Sequence, residues 1–122
     1  MIGPARQAAL AALRAVNTGS VDLPTALSQH RDRLKDARDR ALTGEIVTGT
    51  LRWRAALDHV IAHISGRPLS DINPEIVDIL RLSLYQILYL TRVPASAVVD
   101  DAVNLAREVE RLGHLHLHAE GE

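Results

Sequence analysis

The stretch NPEIVDILRLSLYQILYLTRVP, residues 73–94, decides the fold. Asn73 followed by Pro74 is an N-cap residue followed by the residue best suited to the first helical position. At the other end, Val93-Pro94 disfavours further helix. The spacing between them predicts one long helix, roughly 30 Å at about 1.5 Å per residue. On a helical wheel Ile76, Val77, Ile79, Leu80, Leu84, Ile87, Leu88 and Leu90 cover about half the circumference, so the helix is expected to be gripped from several sides. The opposite line carries Asp78, Arg81, Tyr85, Tyr89 and Arg92. It reads either as the wet side of a buried helix or as a protein contact, since Tyr and Arg are enriched at interfaces. The contact reading rests on Arg81, Tyr85, Tyr89 and Arg92. Asp78, Arg81 and Gln86 interrupt the apolar run, which argues against a membrane span.

Working outward, residues 4–16 predict a first helix with Ala9, Leu13 and Val16 on one face. Asp22 is expected to cap a second helix with Pro24 in its first turn, and its stripe continues through Ala26 and Leu27 to Leu34. A third helix is expected from about Asp36 to Ile64, with Trp53 on its apolar stripe. Gly44 and Gly49 inside it each cost roughly 1 kcal/mol relative to alanine, so they predict a close helix crossing or a bend near Gly49. Gly66 and Pro68 break the chain. After Pro94, Ser96 is the expected cap of a last helix with a seam of Val98, Ala102, Leu105, Val109 and Leu112. Gly113 is the expected stop. No strand is predicted. The pattern is an all-α bundle of five or six helices. Residues 1–113 form the helical domain, and residues 114–122 a flexible, His-containing tail.

Chemistry is sparse. There is no cysteine, hence no disulfide, thiol nucleophile or Cys-type zinc site, which fits a cytoplasmic protein. No Gly-rich loop follows a strand, so neither a cofactor nor a catalytic residue is expected. Asp100-Asp101 reads as first-turn acidity favoured by the helix dipole rather than as a catalytic pair. His59 and His63 sit four apart without a general-base Glu between them, and His114, His116 and His118 alternate with leucine. Both sets read as surface groups, and no metal is expected. The formal net charge of −1 excludes nucleic-acid binding by bulk charge, so any RNA contact must come from a local patch. Arg6, Arg38, Arg40, Arg52 and Arg54 are the candidates for RNA phosphates, the last two flanking Trp53 as a stacking residue. The alternative is a solvated face paired with Asp32, Asp36 and Asp39.

DRALTGEIVTGTLRWRAALDHVI (39–61), RPL (67–69) and LRLSLYQILYLTRVPASAVVDDAVNLA (80–106) together resemble the NusB-like helical domain. The version they resemble stands at the N-terminus of Sun/RsmB-type 16S rRNA cytosine-5 methyltransferases. The resemblance covers about residues 4–107. It implies two packed helical subdomains and a role in transcription antitermination or rRNA biogenesis. The implied partners are rRNA or a boxA-like leader and a ribosomal or transcription-complex protein. Three departures stand out. The arginine run that precedes the first helix in NusB is reduced to Arg6. Asp100-Asp101 replaces an expected Asn-Glu pair. HLHLHAEGE stands where the family's closing helix would be, which is expected to leave apolar surface open. The methyltransferase region is missing from these residues as well, so a non-enzymatic domain is expected. The alternatives are a helical protein-interaction or homodimerisation module without RNA binding, and an inactive relative of the methyltransferase N-terminal domain.

Overall fold

A computed structural model describes residues 1–121, with side chains described through residue 113. Six α-helices follow one another: α1 (Pro4–Asn17), α2 (Leu23–His30), α3 (Ala37–Arg52), α4 (Arg54–Ser65), α5 (Pro74–Tyr89) and α6 (Ala95–Gly121). A single 3₁₀ turn, Leu69–Asp71, leads into α5. There is no strand among the described residues. Helices α1 to α3 pack as one group and α4 to α6 as another; α5 touches α1, α3, α4 and α6 and joins the two.

The caps follow from side-chain chemistry. Asp22, Asp36 and Asn73 each accept a backbone N–H of the turn they open, from Thr25, Arg38 and Glu75 respectively. Thr25, through its side chain first and its backbone N–H second, also holds the Asp22 carboxyl below its ordinary pKa. Gly66 closes α4 in the left-handed conformation, φ 68°, where a side chain would be strained.

Several boundaries differ from expectation. Helix α2 ends at His30, so Leu34 lies in the following loop. The long third helix is two helices that meet at Trp53 rather than Gly49. Helix α5 stops at Tyr89, and residues 90–94 turn before α6 starts at Ala95, which leaves Ser96 inside the helix and not at its cap. Asp100 and Asp101 therefore lie in the second turn. Helix α6 continues past Gly113, which does not take a left-handed φ. One glycine weakens a helix without breaking it, and the Leu and Ala that follow favour continuation. His114, His116 and His118, and the tail assigned to residues 114–122, lie outside the residues whose side chains are described.

The larger correction concerns α5, whose polar line is not a wet face. Asp78, Arg81, Tyr85 and Gln86 are buried together with Val77, Ile79 and Leu82, while Leu80, Ile87 and Leu88 are exposed. Partners from distant elements make this tolerable. The fully buried Asp78 carboxylate accepts from Arg14 Nη1 at 2.9 Å, Asn17 Nδ2 at 2.8 Å and Arg81 Nη1 at 2.8 Å. Arg81 makes a two-pronged pair with Asp58 of α4, at 2.6 and 2.9 Å. Burial works against the Arg81 charge, but the carboxylates of Asp58 and Asp78 outweigh it and raise its pKa above the usual arginine value. Farther along, Gln86 accepts from Arg6 Nε at 2.8 Å, and Arg6 Nη1 pairs with buried Asp101 of α6 at 3.0 Å. Asp101 also accepts the Gly3 N–H, so one carboxylate ties the start of α1 to α6.

Helices α3 and α5 cross closely, as the glycines implied. A Cβ on Gly49 would fall inside the Tyr85 ring, so only glycine lets the two backbones approach this far. Buried Thr43 of α3 donates its hydroxyl to the Ala5 carbonyl of α1 at 3.1 Å. The aliphatic core of Ala9, Leu10, Leu13, Ile46, Val47, Leu57, Ile79 and Leu82 fills the space between these helices.

Candidate nucleic-acid interface

The chain's three aromatic residues form one ladder. Tyr85 lies inside, over Gly49. Tyr89, one helical turn on, stacks on it with centroids 5.4 Å apart and planes at 23°. Trp53 stacks on Tyr89 at 5.3 Å and 11°. Trp53 is where α3 ends and α4 begins, at φ −101° and ψ 15°. Its N–H still bonds the Gly49 carbonyl, and its own carbonyl accepts from Leu57, so two backbone hydrogen bonds flank the kink. The kink takes Trp53 off the apolar stripe on which the sequence reading put it. Trp53 and Tyr89 are each 43% exposed.

Arginines adjoin Trp53 in the chain and recur along α3. On α3, Arg38, Glu45 and Arg52 recur at seven-residue steps and so share a face. Arg38 and Arg52 are exposed. Arg54 opens α4 on the other side of Trp53; it reaches Asn17 Oδ1 at 3.2 Å and Asp58 at 3.9 Å, loose contacts on a half-exposed side chain. Arg92 pairs with Glu45 at 2.7 Å, but its side chain is 76% exposed, so the pair contributes no more than about 1 kcal/mol. Arg6, Arg38, Leu42, Glu45, Arg92 and Pro94 line a cleft of about 420 Å³. Burial raises the Tyr85 phenol pKa, with Glu45 adding to the shift and Arg52 opposing it.

The five arginines proposed for phosphate contact therefore separate. Arg38, Arg52 and Arg54 are available at the surface. Arg6 also lines the cleft, but its side chain is only 12% exposed and is held by Asp101 and Gln86. Arg40 donates to the carbonyls of Leu34 and Lys35 and fastens the loop before α3. The proposed protein contact also divides. Arg81 and Tyr85 are interior and cannot meet a partner, whereas Tyr89 and Arg92 are exposed. Sequence reading missed that Tyr89 stacks on Trp53 and that Arg92 shares a cleft with Arg38. The four-residue Tyr85–Tyr89 spacing was a visible signal for half of that ladder.

A second surface feature is apolar. Ile61 and Ile64 of α4, Leu80, Leu84 and Ile87 of α5, and Val99 and Val103 of α6 line an open groove of about 400 Å³. His59 and His63 are exposed on α4, and no third metal-ligating residue joins them among the described residues. No helix among those residues is long and apolar enough to cross a membrane.

Six helices, four of them packed on α5 with its polar side inward, form an all-α NusB-like domain. The chain belongs to the NusB family, whose model matches residues 3–114. It is 35% identical over 106 residues to the ribosomal RNA small subunit methyltransferase B of Pseudomonas putida, covering 87% of this chain and 24% of that protein. A putative methyltransferase of Mycobacterium tuberculosis is 40% identical over 109 residues, or 86% of this chain and 23% of that protein. The transcription antitermination protein NusB of Coxiella burnetii is 35% identical over 82 residues, 66% of this chain and 59% of that one. The chain thus spans about a quarter of the length of the methyltransferases it matches. No match to a solved structure reaches the same significance.

Proposed function

We propose that this chain is a non-enzymatic RNA-binding domain acting in rRNA biogenesis or transcription antitermination. The observation that carries the reading is the exposed pair Arg52 and Arg54 flanking exposed Trp53 in the chain, with exposed Arg38 farther along α3, in a chain whose net charge is only −1. Guanidinium groups exposed at the surface suit phosphate oxygens, because their planar donors match the anion. Arg92 can join them at small cost by leaving Glu45. The names of the relatives, an antitermination protein and rRNA methyltransferases, support RNA of ribosomal or leader type as the ligand. A ribosomal or transcription-complex protein is the accompanying partner, with Tyr89 at the contact.

Titration of an rRNA or boxA-like fragment tests this. At a slope of about 0.7 per phosphate on single strands, three or four contacts weaken binding roughly 20- to 50-fold between about 50 and 200 mM salt. Absence of binding at low salt, or an affinity that salt leaves unchanged, rules the reading out.

A protein-interaction role without RNA is the second reading, and the aliphatic groove between α4, α5 and α6 favours it. Its occupant would be a second copy of the chain. Sedimentation that shows only monomer at high concentration removes the homodimer.

A further inference from the structure

We propose that Trp53 is a stacking platform for one unpaired nucleobase, with Arg52 and Arg54 holding the phosphates on either side of that nucleotide. The inference rests on the RNA-binding reading and specifies where on this surface a base is held.

The placement of Trp53 is the first reason. Had α3 continued unbroken, its apolar stripe would have carried the indole into the core. Instead the chain kinks at Trp53 itself, with neither glycine nor proline at the break, and 43% of the residue stays in solvent. An indole left this open forgoes burial that ordinarily stabilises a fold. Its orientation is the second reason. Trp53 lies nearly parallel to Tyr89, 11° apart, so the indole is held by one face and retains surface for another planar group. Tyr89 rests in turn on Tyr85, which is wedged over Gly49 at the close crossing of α3 and α5. The ladder is thus anchored in the interior through Tyr85, and a ring already in place reduces the entropy lost on binding.

Charge supplies the third reason. Arg52 ends α3 and Arg54 begins α4, so exposed arginines precede and follow the indole in the chain, and Arg54 reaches phosphate by releasing its loose contacts to Asn17 and Asp58. A base on an aromatic ring with flanking phosphates on arginines is how single strands are commonly held, and the arrangement tolerates many sequences because every base has a π-face. A duplex offers no free base face along its length and fits this platform poorly.

Trp53 is the chain's only tryptophan, so its fluorescence reports the proposed contact directly. The probe is an unstructured RNA of about ten nucleotides, a typical site length for single strands. Its controls are the same strand with abasic sugars and a blunt duplex of equal length. Binding of the intact strand to the full chain at low salt is expected to quench Trp53. The abasic strand and the duplex are expected to bind with little quenching. Trp53→Leu is expected to weaken binding of the intact strand roughly five- to a hundredfold while leaving the salt slope unchanged, with helix content checked by circular dichroism. Salt-dependent binding without quenching overturns the platform and leaves the RNA-binding reading standing. No binding at low salt overturns both. Quenching in the unaltered chain is read whether or not Trp53→Leu folds.

Discussion

Asp78 shows how much a single buried side chain organises. Its carboxylate gathers Arg14 and Asn17 from α1 and Arg81 from its own helix, and Arg81 passes the connection to Asp58 on α4. Removing one member of such a network leaves charges in the interior without a partner. Asp78→Ala is expected to destabilise the domain by about 3–5 kcal/mol, measured by urea unfolding. An exposed pair such as Arg92–Glu45 is expected to change stability by less than about 1 kcal/mol when broken. Tyr85 makes a second prediction, on pH. Its folded pKa lies above the ordinary phenol value, first because burial disfavours the phenolate and then because Glu45 is near. A raised folded pKa contributes stability that is complete below the unfolded value, about 10, and is lost as pH rises through the folded value. The difference in unfolding free energy between the unaltered chain and Tyr85→Phe should therefore be flat up to about pH 10. Above that it should move against the unaltered chain. A difference that stays flat to pH 11 or so would contradict the assigned environment.

At the scale of the element, α5 separates what pattern reveals from what it conceals. The Asn73 cap, the Pro74 start and the break before Pro94 were readable because each is local chemistry. The inward-facing side was not. Hydrophobicity ranks Leu80, Ile87 and Leu88 with the core and Asp78, Arg81 and Gln86 with solvent, and the structure reverses both groups. The partners that make the reversal tolerable lie 61 and 64 residues away for Asp78 and 80 residues away for Gln86, so no window along the sequence contains them. Trp53 was misplaced for a related reason: its kink carries no glycine or proline to announce it. Two substitutions on α5 test the reversal. Ile79→Ala, in the core, is expected to cost about 2–5 kcal/mol, whereas Ile87→Ser, on the groove, should cost well under half as much. Comparable losses in thermal or urea unfolding would put Ile87 back in the core.

For the whole molecule, the fold class was legible. The resemblance carried by the stretches at 39–61 and 80–106 agrees with a family match over residues 3–114. The candidate surface was only partly legible. Arg52, Trp53 and Arg54 are adjacent in sequence, but the ladder of Trp53, Tyr89 and Tyr85 needs α5 laid across the α3–α4 kink. Likewise, nothing local distinguishes Arg6 and Arg40, which hold the fold together, from Arg38, Arg52 and Arg54, which remain at the surface. The central claim is that these three surface arginines bind RNA phosphates. The most direct test compares the salt slope of RNA binding for the unaltered chain and for the triple variant Arg38→Gln, Arg52→Gln, Arg54→Gln. Three lost contacts should lower the slope by about 2, at about 0.7 per phosphate on single strands. A triple variant that keeps both the affinity and the slope of the unaltered chain would contradict the account.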